Sequence, residues 1–387
     1  MAFLPFHITK RKHLKVVIAG GGYAGLATLT NLLQLAPDTE ITLIDPGTHH
    51  IKITHLHETF RYPLTDFKVP FHEIEKRFGC RHIAASFDFD PQSLQTSQQT
   101  KQLVLDNEVL HFDYLVIASG CENIIDDQVY SDRILTLSDF AMHSGSDLLT
   151  QKICQRDSPL SHISLIGGGA TGIQFLFEIR QFLNRIKSNI ELRLIHSGQH
   201  VLEQFPAGFG AYAESRMQEM NIELIAQTHY RTQSTDKIQL QDRMTQQQYE
   251  LPSDLTLLFL GKKQQIRFTA NAFGQLTTDQ SLLPNIFAAG DCANYQSIGS
   301  NTLTAQSAVR KGKLVARNVL RHAGFPGLLE PYLHQDLGYV VNLGASDAVG
   351  WLIAEGNLIT GTPALAIKEI VETQFDLLLA GIDTYLV

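Results

Sequence analysis

The sequence predicts an α/β protein made of two similar parallel-sheet units and a C-terminal region. A strand, glycine turn, helix and strand pattern occurs twice, and 387 residues are enough for two domains, or for one domain interrupted by another. With 44% hydrophobic and 18% charged residues, the chain can fill sizeable cores, which excludes a disordered, collagen-like or coiled-coil protein.

The first unit opens with a buried strand over 16–19, which runs into Gly20, Gly21, Gly22, Tyr23, Ala24 and Gly25 and then a helix over 26–35. A second strand over 41–44 ends at Asp45 and is stopped by Pro46 and Gly47. From 60 to 107 the pattern breaks into short pieces, and the Gln- and Ser-rich stretch 91–102 reads as turns between brief strands. A strand over 114–118 ends in Ser119 and Gly120, and a polar connector with at least one helix follows.

The pattern then repeats as a strand over 163–166, the turn Gly167, Gly168, Gly169, Ala170, Thr171 and Gly172, a helix through Leu183, and a strand over 190–195. Residues 255–260 read as the last strand of this unit, and 286–289, ending at Gly290 and Asp291, as a strand returning to the first. A helix over 304–320 follows. In the tail, 364–380 places Ile367, Ile370, Val371, Phe375, Leu378 and Leu379 on one helical face, with Lys368, Glu369, Glu372 and Asp376 on the polar one. The expected domains are 1–120 with 265–330, an inserted unit over 121–264, and a C-terminal region over 331–387.

A strand that ends in GxGxxG and opens a helix brings backbone N–H groups up to a pyrophosphate. Gly20, Gly22 and Gly25 satisfy this pattern. Asp45, about 20 residues on at the end of the next strand, is placed to bind the adenosine ribose. Gly167, Gly169 and Gly172 repeat the turn, yet the following strand ends in Ile195, His196, Ser197 and Gly198 with neither an acid nor an arginine cluster. Two readings stay open for this second turn, a dinucleotide site and a retained scaffold.

A net charge of -8 and a pI near 6.0 give no basic footprint, so nucleic acid is not an expected partner. Cys80, Cys121, Cys154 and Cys292 form neither a CxxC pair nor a zinc pattern. His49, His50, His55 and His57 crowd a short loop without metal-ligand spacing, so no metal is expected. No run reaches the roughly 18 to 20 apolar residues of a spanning helix. The basic stretch from Lys10 to Lys15 is either a lipid contact or a solvated terminus.

These motifs resemble the two-dinucleotide-domain flavoproteins of the pyridine nucleotide-disulfide oxidoreductase superfamily, and within them the type II NADH dehydrogenases, which are NADH:quinone oxidoreductases. The stretches 20–26, 42–50, 113–120, 167–173, 286–293, 304–318 and 338–352 carry the likeness. The resemblance implies a glutathione-reductase-like FAD/NAD(P) fold of two Rossmann-like domains. It also implies an enzyme passing two electrons from NADH or NADPH through FAD to a quinone, cytoplasmic and peripheral on the inner face of a membrane.

Carried over by position, Gly20, Gly22, Gly25 and Asp45 would hold the ADP half of FAD, with Tyr23 and Ala24 of the same turn and His50, at a family position by the flavin edge, as further cofactor-binding residues. Ser119, Gly120, Gly290, Asp291, Ala305 and Gln306 would line the rest, with Asp291 on the ribityl chain and Gln306 facing the ring and the quinone. Arg310 stands where a second Gln is common. Gly167, Gly169, Gly172 and His196 would meet the nicotinamide dinucleotide. Gln306, Gln174 and Glu178 are the candidate catalytic positions. His196 and Gln174 both stand where the family has a carboxylate, which implies altered pyridine nucleotide use, while Glu178 keeps a family-like acid. The alternatives are a sulfide:quinone-reductase-like flavoprotein with another donor and a flavin-binding sensor with negligible turnover. The tail helix would meet a membrane, a second subunit of a homodimer, or its own body.

Overall fold

The structure, a computed structural model, describes residues 13–87, 89–106, 108–121, 132–154, 160–261, 268–278, 281–297, 302–333 and 338–385. Lys10, Arg11 and Lys12 of the basic stretch lie outside the described residues.

Five parallel strands make up one side of an eight-stranded sheet, in the order Leu282–Ala288, Tyr114–Ile117, Lys15–Ala19, Glu40–Ile44 and Arg81–Ile83, the last at its edge. The first strand, KVVIA, is buried except at Lys15, as expected for a central strand covered on both faces. A second sheet repeats this plan with five parallel strands in the order Glu223–Ile225, Glu191–Ile195, His162–Ile166, Leu255–Leu258 and Ile134–Thr136. In each sheet the strand that enters the glycine turn has neighbours on both sides that lead away from it. The turn therefore sits at the switch point, where the carboxyl ends of α/β sheets leave a crevice.

Helix Tyr23–Leu35 packs along helix Ala305–His322, whose start is capped by the Thr304 hydroxyl accepting from the Ser307 N–H. Gly312 permits this crossing, since a Cβ there would lie 2.3 Å from the Ala24 carbonyl oxygen.

Three expectations are corrected. Residues 91–100 form a helix, Pro91–Thr100, and not turns: the Asp90 carboxylate accepts from the Gln92 and Ser93 N–H groups, Pro91 takes the first position, and Leu94 is buried beneath. The histidine stretch is a short strand, His49–Ile51, followed by a 3-10 helix, Ile53–Phe60, in which His57 and Glu58 are buried. Leu56 and Phe60 of that helix pack into the core of the second unit beside Ile173, Phe175 and Phe182.

The third correction concerns the tail helix, Thr362–Leu379. Its apolar residues do not share one fate: Phe375, Leu378 and Leu379 enter the core of the first unit, whereas Ile370 and Val371 face outward. Lys368 and Glu372, expected on the polar face, lie inward because the buried Glu58 carboxylate draws in the Lys368 ammonium, which Glu372 shares. The Lys368 ammonium is 2.8 Å from Glu58 and 2.7 Å from Glu372. A three-stranded sheet, Gly338–Asn342, Ala348–Leu352 and Ala354–Thr360, precedes this helix, and its Val341, Val349 and Trp351 join the second core. Among the described residues no helix is long and apolar enough to cross a membrane.

Candidate functional site

The two glycine turns have the same construction. Gly20 has φ +117° and Gly167 has φ +114°, a region in which a side chain is strained. A Cβ on Gly25 would lie 1.8 Å from the Gly20 carbonyl oxygen, and one on Gly172 would lie 2.0 Å from that of Gly167. The middle positions differ from these. Nothing lies within 4 Å of a Cβ on Gly22, and at Gly169 only the Gln204 amide comes near, at 3.8 Å. Gly22 and Gly169 also cap helices Tyr23–Leu35 and Ala170–Arg185, and neither start has a side-chain cap or an acid in its first turn. Both turns thus offer helix N–H groups and open space to an anionic group.

In the first unit Asp45 clamps the turn. Its Oδ2 accepts from the Gly21 N–H at 2.7 Å and its Oδ1 from the Gly47 N–H at 2.8 Å, which leaves each oxygen with lone-pair capacity for a ribose hydroxyl. His50 holds the other side of the same residue, with Nδ1–H donating to the Gly21 carbonyl at 3.1 Å. Tyr23 stands edge-on to this imidazole at 4.8 Å, and Phe375 of the tail helix lies against both rings.

Burial pushes the His50 pKa down to about 4, so the ring is neutral at pH 7. The unfolded chain takes up this proton near 6.5, and stability is therefore lost as pH falls from about 6.5 to about 4, by on the order of 3 kcal/mol from this group. His50→Gln is expected to remove that share: between pH 7 and pH 4.5 its stability in denaturant titrations should fall less than the wild type's. An equal fall in both proteins would refute the assignment.

The remaining first-turn candidates gather around this centre. Ser119 and Gly120 follow the strand whose Ala118 carbonyl limits Gly20. Gly290, at φ +81°, comes close to the Ala24 and Ala308 methyls, which sets Asp291 beside the turn, where its Oδ2 lies 3.7 Å from the Cys121 thiol. Ala305 and Gln306 form the first turn of the helix that carries Ala308, with Gln306 half-buried. Cys292 lies beneath, its thiol donating to the Ile117 and Ala289 carbonyls, and burial raises its pKa to about 11.

In the second unit His196 takes the structural place of Asp45. The N–H of each donates to the equivalent strand, Asp45 to the Ile83 carbonyl and His196 to the Ile225 carbonyl, and His196 Nδ1 accepts from the Gly168 N–H at 3.2 Å. This fixes Nδ1 as the unprotonated nitrogen, and burial lowers the ring's pKa in the same sense. Gln174 is half-buried in the second turn of its helix.

Glu178, one turn further, is fully buried and turned away toward Arg61, whose Nε donates to both carboxylate oxygens at 3.0 and 3.1 Å. Burial raises the Glu178 pKa against the pull of Arg61. Arg61 also approaches Glu58, which meets Lys368, so one buried ionic chain joins the second unit, the histidine helix and the tail. Burial opposes ionisation of Glu58, but the His55 hydrogen bond and the Lys368 charge outweigh it and hold this carboxyl well below the usual range. His55, Glu58 and Glu372 come close enough to surround a cation, and the Lys368 ammonium is the cation among them. Arg61 and Glu58 escaped the sequence reading, which placed Lys368 only on a polar helix face. Each is an ordinary charged residue in the sequence, and only the fold shows that they meet.

The family model for pyridine nucleotide-disulphide oxidoreductases matches residues 14–312. The type II NADH:quinone oxidoreductase of Staphylococcus aureus is 24% identical over 400 residues, covering 95% of this chain and 96% of that protein. Among solved structures, NDH2 from Plasmodium falciparum in complex with NADH superposes with a TM-score of 0.76 at 15% identity, covering 94% of both chains. The sulfide:quinone oxidoreductase of Aquifex aeolicus superposes equally well at 18% identity, covering 96% of this chain and 93% of that one. With the family model spanning both glycine turns, the returning strand and the start of the helix after it, the chain belongs to the pyridine nucleotide-disulphide oxidoreductase family and is an oxidoreductase.

Proposed function

We propose that the chain is an FAD-dependent oxidoreductase that passes two electrons from a nicotinamide dinucleotide to a quinone. The observation that carries this is the duplicated turn, with one copy clamped by Asp45 and both open at the position where a phosphate approaches. The likeness to type II NADH:quinone oxidoreductases over almost the whole chain supports the direction of flow.

The first turn, with Asp45, His50 and Asp291, fits the ADP and ribityl parts of FAD. Bound there, flavin supplies the hydride and electron chemistry, and the protein supplies orientation and electrostatics. Gln306 is the polar group nearest the start of its helix and would orient the ring and the acceptor. Gln174 would do so from the donor side with an amide in place of a carboxylate. Glu178 acts as a positioning residue, because its carboxylate is committed to Arg61. The outward Ile370 and Val371 are the part of the tail helix left for a membrane surface or a second subunit.

A second reading has its own observation. Cys121 beside Asp291 places a thiol next to the proposed flavin, which favours a sulfide donor as the alternative, although no cysteine follows Cys292 to partner it. One experiment separates the two. The purified yellow protein, free of oxygen, is mixed with NADH, NADPH or sulfide, and the flavin band is followed. Bleaching within seconds by a nucleotide, with colour restored by a water-soluble quinone, is the expected result. Bleaching by sulfide alone would move the assignment to the second reading, and persistent colour with all three would refute both.

A further inference from the structure

Asp45 performs two tasks in the first unit: it accepts from the Gly21 N–H of the turn and from the loop N–H two residues beyond itself. In the second unit these tasks are divided. His196 Nδ1 accepts from Gly168, and the loop N–H groups of Gln199 and His200 are taken by Glu203, whose Oε1 lies 2.7 and 3.1 Å from them. The loop is drawn onto the turn by the Leu202 N–H, which donates to the Gly168 carbonyl at 2.8 Å, the bond that His50 supplies in the first unit. Glu203 Oε2 and His196 Nε2 then border the same small space, each 2.6 Å from where a Cβ on Gly198 would sit. Glu203 is exposed, and the two N–H groups hold its carboxyl below its ordinary value, so it carries a full charge at neutral pH.

We propose that Glu203 replaces the lost strand-end acid and makes the second turn prefer NADH to NADPH. This rests on the nucleotide-driven reading above and sharpens it. A ribose with two free hydroxyls can donate to Oε2, whereas a 2'-phosphate would bring a dianion against a fixed carboxylate. The opposing group is Arg243, whose guanidinium reaches the Ser197 carbonyl at 3.2 Å on the same loop. His200 is turned toward Glu214, 3.4 Å away.

The test is equilibrium titration of NADH and NADPH into the flavin-loaded protein, followed by nucleotide fluorescence, with Glu203→Gln and Arg243→Gln. The amide keeps an oxygen that accepts the Gln199 and His200 N–H groups, so a loop-fastening role survives the change, while the Oε2 position becomes an NH2 that carries no charge and accepts nothing from a ribose. The wild type is expected to bind NADH more tightly, and Glu203→Gln to narrow the ratio of the two affinities by about tenfold, mostly by weakening NADH. An unchanged ratio in Glu203→Gln overturns the proposal. So does a wild-type preference for NADPH that Arg243→Gln abolishes, which would assign the site to the arginine. Flavin bleaching separates this failure from that of the wider reading. Bleaching by NADH with an unchanged affinity ratio sinks Glu203 alone, and wild-type protein that neither binds nor is bleached by either nucleotide sinks both.

Discussion

Gly25→Ala is expected to yield protein without flavin, and Gly172→Ala a yellow protein that neither nucleotide bleaches. Each new methyl would stand about 2 Å from a backbone carbonyl of its own turn, where no side-chain rotation relieves the clash. The turn must open, and the close approach that aims the N–H groups at a phosphate is lost. A misplaced phosphate cradle forfeits charge-assisted hydrogen bonds of about 1.5–3 kcal/mol each, so tenfold or greater loss of ligand is the scale expected. Absorbance at the flavin band relative to protein reads the first variant, and anaerobic mixing reads the second. Gly22→Ala is the control for backbone strain, because its methyl meets no protein atom within 4 Å. It should fold normally and still bind flavin poorly. Full flavin content in Gly25→Ala would refute the placement of the cofactor.

Arg61→Met should lower stability by about 3–5 kcal/mol, since it strips a fully buried carboxylate of its guanidinium. Burial already raises the Glu178 pKa above its ordinary value, and without Arg61 it rises further. A carboxyl whose folded value is raised contributes its stability at low pH and loses it as pH rises through that value. The deficit of Arg61→Met should therefore be smallest near pH 5 and grow toward pH 8. Adding Glu178→Met removes the stranded charge and should recover most of the loss. Urea titrations of the two variants at both pH values check this. Equal deficits in the single and double variants would mean that the side-chain volume of Arg61, and not the ion pair, sets the cost.

What the sequence made legible follows from what glycine alone can do. The two turns stand out because φ or carbonyl contacts at Gly20, Gly25, Gly167 and Gly172 favour glycine, and the strands beside them are short apolar runs. Asp45 and His196 were likewise marked by position, as the residues that end the next strand. Helix Pro91–Thr100 was hidden because its stability comes from one cap and one buried leucine, beneath a polar composition that resembles a loop. The link from Glu178 through Arg61 and Glu58 to Lys368 was hidden for another reason. A buried ion pair has no period or spacing, and its members come from segments that only folding brings together. Glu203 lies between these cases: it is close to His196 in sequence, but only the loop's return onto the turn shows that the two share one task.

The strand Leu282–Ala288, in register with Tyr114–Ile117, also fixes an order of events on the ribosome. Every strand of the second sheet has been synthesised once Leu258 emerges, so that unit can close its own ladder while the chain is still growing. The first sheet, although begun earlier, exposes the open side of Tyr114–Ile117 until the return strand arrives, and part of its core waits longer still for Phe375, Leu378 and Leu379. The second ladder is thus the first that the nascent chain can close, while both cores wait for later segments: Val341, Val349 and Trp351 complete the second, and Phe375, Leu378 and Leu379 the first.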